Sequence, residues 1–395
     1  MSLIPYGHHH IDQSDMDAVT EALRSNWLTQ GPLINTFEDK ISAYCEAKYA
    51  VAVCNATAAL HLAYLALKLK AGDILWTTPN TFVATANAAL FCGASVDFVD
   101  IDAKTYNMCP YALAEKLKKA VKTGKLPKIV VPVHFAGQSC DMEAIKQLAD
   151  HYHFKIVEDA SHAIGGLYKK RPIGNCQYSD ITVFSFHPVK IITTGEGGMA
   201  VTNNSELAKK MQLLRSHGII RDENRMSEKS HGVWYYQQIN LGFNYRITDL
   251  QCALGLSQLQ RINKFVHRRN ILAERYNSYL SKFPMILPSI MFDNYSAYHL
   301  YVIQIDPSQT SISRKVLFDY LRTVGINVNV HYIPVHLQPY YRQFGFQKGD
   351  FPIAETYYQY TLTLPLYYDL SDNDQDFIIK ELKIGICHGS TCHFK

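Results

Sequence analysis

Short apolar runs rich in β-branched residues recur along the first half of the chain, and polar or glycine-containing segments separate them. Runs of this length predict strands that are buried on both faces. They lie at residues 50–53, 74–77, 95–99, 129–133, 154–157, 181–184 and 199–202. Helical stretches alternate with the runs. This alternation predicts an α/β fold with a mostly parallel sheet covered on both faces.

The pattern changes in the second half of the chain. A helical stretch over residues 248–280 is followed by a proline-containing break at 284–288. The elements predicted beyond the break are strands at 298–305 and 326–330 and helices at 313–324 and 373–382. A chain of 395 residues is long enough for two domains. We therefore expect a large domain over 1–247 and a smaller α+β domain over 248–395.

Composition narrows the class of protein. Hydrophobic residues make up 47% of the chain, and the net charge of +4 comes from mixed signs without a basic stripe, so we expect no nucleic-acid partner. No apolar run reaches the roughly 18 residues of a membrane-spanning helix, and no charged-then-apolar leader is present. We therefore expect no membrane association. Nine cysteines, an odd number, predict reduced thiols and a cytoplasmic location.

One lysine stands out among the polar residues. Lys190 lies a few residues beyond the predicted strand 181–184 and shortly before the glycine turn that begins at Gly195. A lysine held in a sheltered loop loses its proton more readily than one in water, which makes it an amine nucleophile. Taken alone, Lys190 fits an ordinary solvated loop residue, which is the usual environment of lysine.

A carboxylate upstream changes the interpretation of Lys190. The predicted strand 154–157 runs into Glu158 and Asp159, and ligands of open α/β sheets bind at the carboxyl ends of strands. A carboxylate there and a lysine from the next strand-and-loop unit are the two groups that pyridoxal phosphate needs. The lysine forms the Schiff base, and the carboxylate keeps the pyridine nitrogen protonated. By itself Asp159 also fits a helix N-cap or a turn.

A third segment supplies a candidate phosphate site. The predicted strand 50–53 turns into an Ala/Leu-rich helix through small residues that include Thr57. Small residues at a helix start let backbone N–H groups approach an anion, and Thr57 adds a hydroxyl. Ser185, at the end of the strand 181–184, adds another. An ordinary capped helix is the alternative for this segment alone.

Six stretches of the chain, in order, resemble the DegT/DnrJ/EryC1/StrS family of sugar aminotransferases. These stretches are residues 28–32, 55–61, 78–88, 158–165, 184–198 and 241–251. The resemblance implies the fold-type I, aspartate-aminotransferase-like architecture of pyridoxal-phosphate enzymes. Further stretches are similar to the branch of the family that serves pseudaminic acid biosynthesis: residues 4–8, 133–138, 185–190 and 330–334.

The resemblance implies roles for residues around the cofactor. Lys190 would form the Schiff base and carry the proton, Asp159 would pair with the pyridine nitrogen, and His162 would lie near the ring hydroxyl. Phe82 would stack on the ring. The phosphate ligands would be Thr57, Ala58, Ser185 and, from a second subunit, Asn244. That last role implies a homodimer with shared active sites.

The same resemblance implies the substrates. Glutamate would give its amino group, and carbon 4 of UDP-2-acetamido-2,6-dideoxy-hexos-4-ulose, a UDP-linked 4-keto sugar, would receive it. The implied substrate-binding residues are Tyr6, Asn26, Trp27, Leu28, Thr29, Val330, His331, Tyr332 and Ile333. Arg221 or Arg246 would offset the charge of the diphosphate.

Alternatives stay open at this point. An alternative acceptor is another nucleotide-linked keto sugar of the perosamine or aminoarabinose type, or a 3-keto sugar. A non-catalytic, cofactor-binding regulator is a further alternative, although Lys190 and Asp159 are both present. The Cys and His residues between 387 and 393 suggest a metal site, but they are too closely spaced for an unstrained tetrahedral site, so we expect a frayed chain end and no bound metal.

Overall fold

The computed structural model describes residues 3–388, so the proposed tail cluster at 387–393 lies largely outside the described residues. The helices are α1 (Gln13–Arg24), α2 (Pro32–Cys45), α3 (Ala56–Ala66), α4 (Ala84–Phe91), α5 (Pro110–Thr123), α6 (Met142–Tyr152), α7 (Ser205–Arg215), α8 (Asp249–Leu259), α9 (Ile262–Leu280), α10 (Arg314–Thr323), α11 (Pro339–Arg342), α12 (Pro352–Tyr360) and α13 (Asp372–His388). The strands are β1 (Tyr49–Val53), β2 (Ile74–Thr77), β3 (Ser95–Phe98), β4 (Ile129–Val131), β5 (Lys155–Asp159), β6 (Leu167–Tyr168), β7 (Arg171–Pro172), β8 (Ile181–Ser185), β9 (Gly198–Thr202), β10 (Ile219–Ile220), β11 (Gln237–Gln238), β12 (Met285–Ile286), β13 (Asn294–Tyr295), β14 (Tyr301–Ile305) and β15 (Thr361–Leu364).

A seven-stranded sheet in the order β1-β9-β8-β5-β4-β2-β3 forms the centre of the molecule. The β2, β3, β4, β5 and β8 strands pair in parallel, and β9 runs antiparallel to both β1 and β8. Each strand predicted in the first half is present. The strands carry unbroken apolar stretches because helices cover both faces of the sheet, and the buried core on one face includes Val53, Leu60 and Val183.

A second sheet, β12-β14-β15, lies in the last third of the chain and is antiparallel. Its core gathers side chains of this sheet with those of α9, α10 and α13, including Ile303, Leu317 and Leu382. Ile4 belongs to the same core and forms a parallel bridge with Ile326. The amino-terminal segment is therefore packed against the carboxy-terminal part of the chain. The boundary after residue 247 stays a prediction.

Two elements differ from the sequence-based predictions. Residues 326–330 make only single bridges, from Ile326 to Ile4 and from Asn329 to Thr363. The helical stretch 248–280 is two helices, because Arg261 leaves the helical conformation between α8 and α9. Its guanidinium pairs with Asp12 and, at 2.5 Å, with Asp15, which ties the break to α1.

Three observations on the described residues bear on location and metal binding. The cysteines from Cys45 to Cys252 are free thiols. Within residues 3–388 no helix is long and apolar enough to cross a membrane. Nor does that part of the chain bring three His, Cys, Asp or Glu residues together in a group that could hold a metal ion.

Candidate active site

A cavity of about 650 Å³ opens at the carboxyl ends of the central strands. Its floor comes from the ends of β5 and β8 and from the start of α3, and its opposite wall comes from Tyr6 and residues 329–332. Ligands of open α/β sheets bind at this edge. The predicted residues that line the cavity are Tyr6, Thr57, Phe82, Asp159, His162, Ser185, Lys190, Val330, His331 and Tyr332.

Asp159 ends β5 with its side chain 5% exposed. The Thr85 hydroxyl donates to its Oδ2 at 2.7 Å, and the backbone N–H and hydroxyl of Ser161 donate to Oδ1 at 3.1 and 2.6 Å. Thr85 in turn lies 2.9 Å from the Thr81 hydroxyl, which completes a buried chain of donors. These neutral donors fix the carboxylate while it still faces the cavity.

Lys190 lies in the turn after β8, where its backbone N–H donates to the His187 carbonyl at 2.9 Å. Burial lowers the pKa of its ammonium group to about 8, although the charge of Asp159 acts in the opposite direction. A larger fraction of Lys190 is therefore the neutral amine near pH 8 than for a lysine in water. An amine in this state is a ready nucleophile toward an aldehyde.

The start of α3 forms the third part of the cavity. Asn55 caps the helix by accepting from the Ala58 N–H at 2.8 Å. The N–H groups of Ala56 and Thr57 have no partner within the helix, and both residues line the cavity. A Cβ on Gly198 would lie 2.5 Å from the Asn55 carbonyl carbon, so only glycine lets β9 approach this turn. The positive end of α3 therefore faces the cavity as an anion site.

These groups fit pyridoxal phosphate. An amine, a carboxylate and an anion site share one cavity, and the exposed ring of Phe82 supplies an aromatic face beside them. Lys190 would bind the aldehyde, Asp159 the pyridine nitrogen, and Thr57 with Ser185 the phosphate.

Imidazole and phenol groups form the remaining wall. His162 is buried, and its Nε2 lies 3.1 Å from the Tyr332 hydroxyl. Burial and, secondarily, the charge of Lys190 hold the pKa of His162 well below its ordinary value. The same two causes lower the pKa of His331 to about 3, and its Nδ1 lies 2.8 Å from the Thr363 hydroxyl. Both imidazoles are neutral at physiological pH.

Several predicted residues lie outside the cavity wall. Ala58 is buried one residue beyond it. Asn26, Trp27, Leu28 and Thr29 are exposed on the loop between α1 and α2, Ile333 is exposed beside Tyr332, and Asn244 is exposed where it bridges Ser216. Arg246 lines a separate cleft of about 220 Å³ with Arg215. The ring of Tyr236 lies 5.6 Å from the Arg221 guanidinium.

Other cavity residues were not predicted from the sequence. Thr85 and Ser161 bind Asp159, and Asn329 and Glu196 line the cavity. Ser161 follows Asp159 closely enough to have been found as a turn hydroxyl. Thr85 carried no such signal, because its contact with Asp159 joins segments far apart in sequence.

Comparisons with known proteins point to one family. The model of the DegT/DnrJ/EryC1/StrS aminotransferase family matches residues 9–383. The spore coat polysaccharide biosynthesis protein SpsC of Bacillus subtilis is 42% identical over 384 residues, which cover 96% of each chain. The UDP-4-amino-4,6-dideoxy-N-acetyl-beta-L-altrosamine transaminase of Campylobacter jejuni is 37% identical over 98% of this chain and 100% of its own.

A solved structure agrees with these matches. Spr1654 from Streptococcus pneumoniae, in its PLP form, superposes with a TM-score of 0.89 at 29% identity, over 98% of this chain and 100% of that one. The predictions of a fold-type I architecture and of pyridoxal phosphate as the cofactor are confirmed. The chain belongs to the DegT/DnrJ/EryC1/StrS aminotransferase family and is a pyridoxal-phosphate-dependent sugar aminotransferase.

Proposed function

We propose that the protein transfers the amino group of glutamate to carbon 4 of UDP-2-acetamido-2,6-dideoxy-β-L-arabino-hex-4-ulose, giving UDP-4-amino-4,6-dideoxy-N-acetyl-β-L-altrosamine. The observation that carries the proposal is the shared cavity of Lys190, Asp159 and the start of α3. The choice of sugar is supported by the altrosamine transaminase of Campylobacter jejuni, at 37% identity over 98% of the chain.

The residues of this chain have distinct tasks in the proposal. Bound pyridoxal phosphate supplies an aldehyde that accepts the amino group and a ring that takes up electrons. Lys190 holds the cofactor at rest, and its amine then moves a proton at the reacting carbon. Asp159, fixed by Thr85 and Ser161, holds the pyridine nitrogen in its protonated form. The start of α3 anchors the phosphate.

Lys190→Ala tests the proposal directly. The purified wild-type protein should carry a visible absorbance band that glutamate bleaches. We expect the variant to lose this band and at least about 10³-fold of turnover, because it removes both the covalent anchor and the proton carrier. Lys209→Ala, an exposed lysine on α7 paired with Glu206, is the matched control. Full turnover in Lys190→Ala would contradict the proposal.

We also propose a homodimer in which Asn244 of the partner subunit completes each phosphate site. Large apolar side chains are exposed at Leu241, three residues before Asn244, at Val233 and Trp234 in the preceding segment, and at Trp27 on the α1–α2 loop. Burial of exposed apolar side chains like these favours association of two chains.

Hybrid dimers of two inactive variants test whether the active sites are shared between subunits. In hybrids of Lys190→Ala and Asn244→Asp subunits, one site would carry both changes and the other neither. We expect activity to return when the two are unfolded and refolded together, and not when each is refolded alone. No recovery, with hybrid dimers verified by mass, would rule out sharing through Asn244.

A second candidate is amination of a different nucleotide-linked keto sugar. SpsC of Bacillus subtilis, named for spore coat polysaccharide biosynthesis, is 42% identical, more than the altrosamine transaminase. Incubation with glutamate and a panel of UDP- and dTDP-linked 3- and 4-keto sugars distinguishes the candidates. The proposed substrate should give a kcat/KM at least about tenfold above the others, a difference of about 1.4 kcal/mol in transition-state binding.

A further inference from the structure

The loop that follows β4 directs a backbone donor at His162. The Ala136 N–H donates to the Nδ1 of His162 at 3.3 Å. Ala136 adopts a left-handed conformation (φ 59°), and the loop is held by bonds from Ala297 to the Gly137 carbonyl and from Leu300 to the Ala136 carbonyl. A Cβ on Gly137 would lie 2.6 Å from the Tyr298 nitrogen. The donor is therefore fixed by close backbone packing.

This contact sets the tautomer of His162. A backbone N–H can only donate, so Nδ1 is the acceptor, and a neutral imidazole then carries its proton on Nε2. The partner of Nε2 is the Tyr332 hydroxyl at 3.1 Å. The ring centroid of His299 lies 4.4 Å from that of His162. His162 therefore donates to Tyr332.

Because the Tyr332 hydroxyl accepts this bond, its own proton stays available for a second bond. A phenol oxygen that accepts one hydrogen bond still has its own proton to donate. Among residues 3–388, the bond to His162 is the one hydrogen bond of this hydroxyl, and Tyr332 lines the cavity. Burial raises the pKa of Tyr332, so the proton is retained.

We propose that Tyr332 donates a hydrogen bond into the cavity, that the Ala136–His162 pair sets its orientation, and that it recognises an oxygen carrying negative charge. Two sources share this chemistry: the ring oxygen of the cofactor and an oxygen of the sugar nucleotide. The inference rests on the proposed function, because that function requires a cofactor and a sugar nucleotide in this cavity. Tyr332 would be a catalytic residue in the first case, and His162 a positioning residue in both.

Tyr332→Phe in the cofactor-loaded enzyme tests the proposal, with the pH midpoint of the visible band as the readout. A donor to the ring oxygen stabilises its negative charge, which is greatest after the Schiff-base nitrogen loses its proton. Loss of the donor should raise the midpoint by about one pH unit. A midpoint that is unchanged while KM for the sugar nucleotide rises at least about tenfold would place the acceptor on the sugar nucleotide instead.

Tyr341→Phe is the matched control, because Tyr341 lies in the same aromatic cluster but donates to Asn87 at 2.6 Å. Equal effects of the two variants, or no effect of Tyr332→Phe on either readout while the band persists, would overturn the proposal. Absence of the band in the wild-type protein would instead refute the proposed function.

His162→Phe tests the positioning role. This variant keeps a planar ring and removes the Nε2–H donor. We expect a shift smaller than that of Tyr332→Phe, and a double variant that matches Tyr332→Phe alone, because both changes act through one hydroxyl. Additive shifts would show that His162 acts independently of Tyr332 and would overturn its role here.

Discussion

Two adjacent carboxylates, Glu158 and Asp159, end β5, and their hydrogen-bond partners differ in kind. Glu158 receives a hydrogen bond from the Nε2 of His134 at 2.6 Å and others from the hydroxyls of Ser179 and Thr182. Asp159 receives bonds only from hydroxyls and a backbone N–H and faces the cavity. Successive residues of a strand point to opposite faces of the sheet. The protein supplies a ring nitrogen donor to one carboxylate, and the cofactor would supply one to the other.

The kind of donor that each carboxylate receives distinguishes Glu158, which binds an imidazole of the protein, from Asp159, which we propose to be the functional carboxylate. Burial raises the pKa of Glu158, but its bonds from His134, Ser179 and Thr182 lower it by more. The Nδ1 of His134 accepts from the Cys140 N–H at 3.1 Å, so its Nε2–H is directed at Glu158. Asp159 is equally buried, yet its partners leave room for a ring nitrogen. Burial alone would not have distinguished them.

Among changes at the two carboxylates and their partners, Asp159→Asn should have the largest effect. In the proposed mechanism the change would remove the charge that keeps the pyridine nitrogen protonated, and loss of a buried charge pair costs about 3–5 kcal/mol. In turnover this corresponds to a loss of about 10²- to 10⁴-fold, measured as kcat under saturating substrates. Turnover within tenfold of the wild type would mean that Asp159 is no more functional than its neighbour.

Glu158→Gln should affect stability instead. It weakens the buried bond with His134, and we expect the free energy of unfolding to fall by about 3 kcal/mol, followed by urea denaturation. Turnover per folded molecule should stay within about threefold. Glu206→Gln, at an exposed ion pair on α7, should change stability by less than about 1 kcal/mol. A turnover loss comparable to that of Asp159→Asn would remove the distinction.

The pH dependence of the free energy of unfolding should reveal the lowered pKa of Lys190, the lysine beside Asp159. In the protein freed of cofactor, burial lowers the pKa of Lys190 to about 8, below that of the unfolded chain. Between these values the unfolded state binds more protons, so stability rises with pH. We expect a gain of about 2 kcal/mol from pH 8 to 10, and Lys190→Met should abolish it. An identical slope in the variant would contradict the pKa shift.

Thr85→Val should have the smallest effect. It removes one donor to Asp159 at nearly constant shape, which costs about 1 kcal/mol, or about fivefold in turnover. Thr182→Val removes a donor to Glu158 and is the matched control. The control should lower stability by a similar amount and leave turnover unchanged. The reverse result would exchange the roles of the two carboxylates.

The sequence was sufficient for the floor of the cavity. Lys190, Asp159, Thr57 and Ser185 follow strands or start a helix in a mostly parallel sheet, and the carboxyl ends of such strands meet at one edge. Their proximity therefore follows from the hydrophobic pattern. Thr85 escaped prediction because its partner is fixed by tertiary packing rather than by sequence spacing.

The opposite wall was predictable only through family resemblance. Tyr332 lies two residues beyond the predicted strand 326–330, and those residues form only single bridges. Trp27 and Asn244 are exposed and lie outside the cavity wall. The role that we propose for Asn244 needs a second subunit, which the pattern of a single chain does not record. Arg261, at the break between α8 and α9, pairs with Asp15 of α1, a tertiary contact that the helical pattern of 248–280 does not record.

The bridge between Ile4 and Ile326 joins the first residues of the chain to a segment that the ribosome adds late. Tyr6 reaches the wall of the cavity from the same amino-terminal segment as Ile4. The core on which Ile4 packs comes from the last third of the chain, which is translated after most of the chain has left the ribosome. The central sheet can form earlier, because its strands end at Thr202. The nascent chain would thus carry Lys190 and Asp159 at an open sheet edge before the cavity is closed, and premature termination would leave the cavity without the wall formed by Tyr6 and residues 329–332.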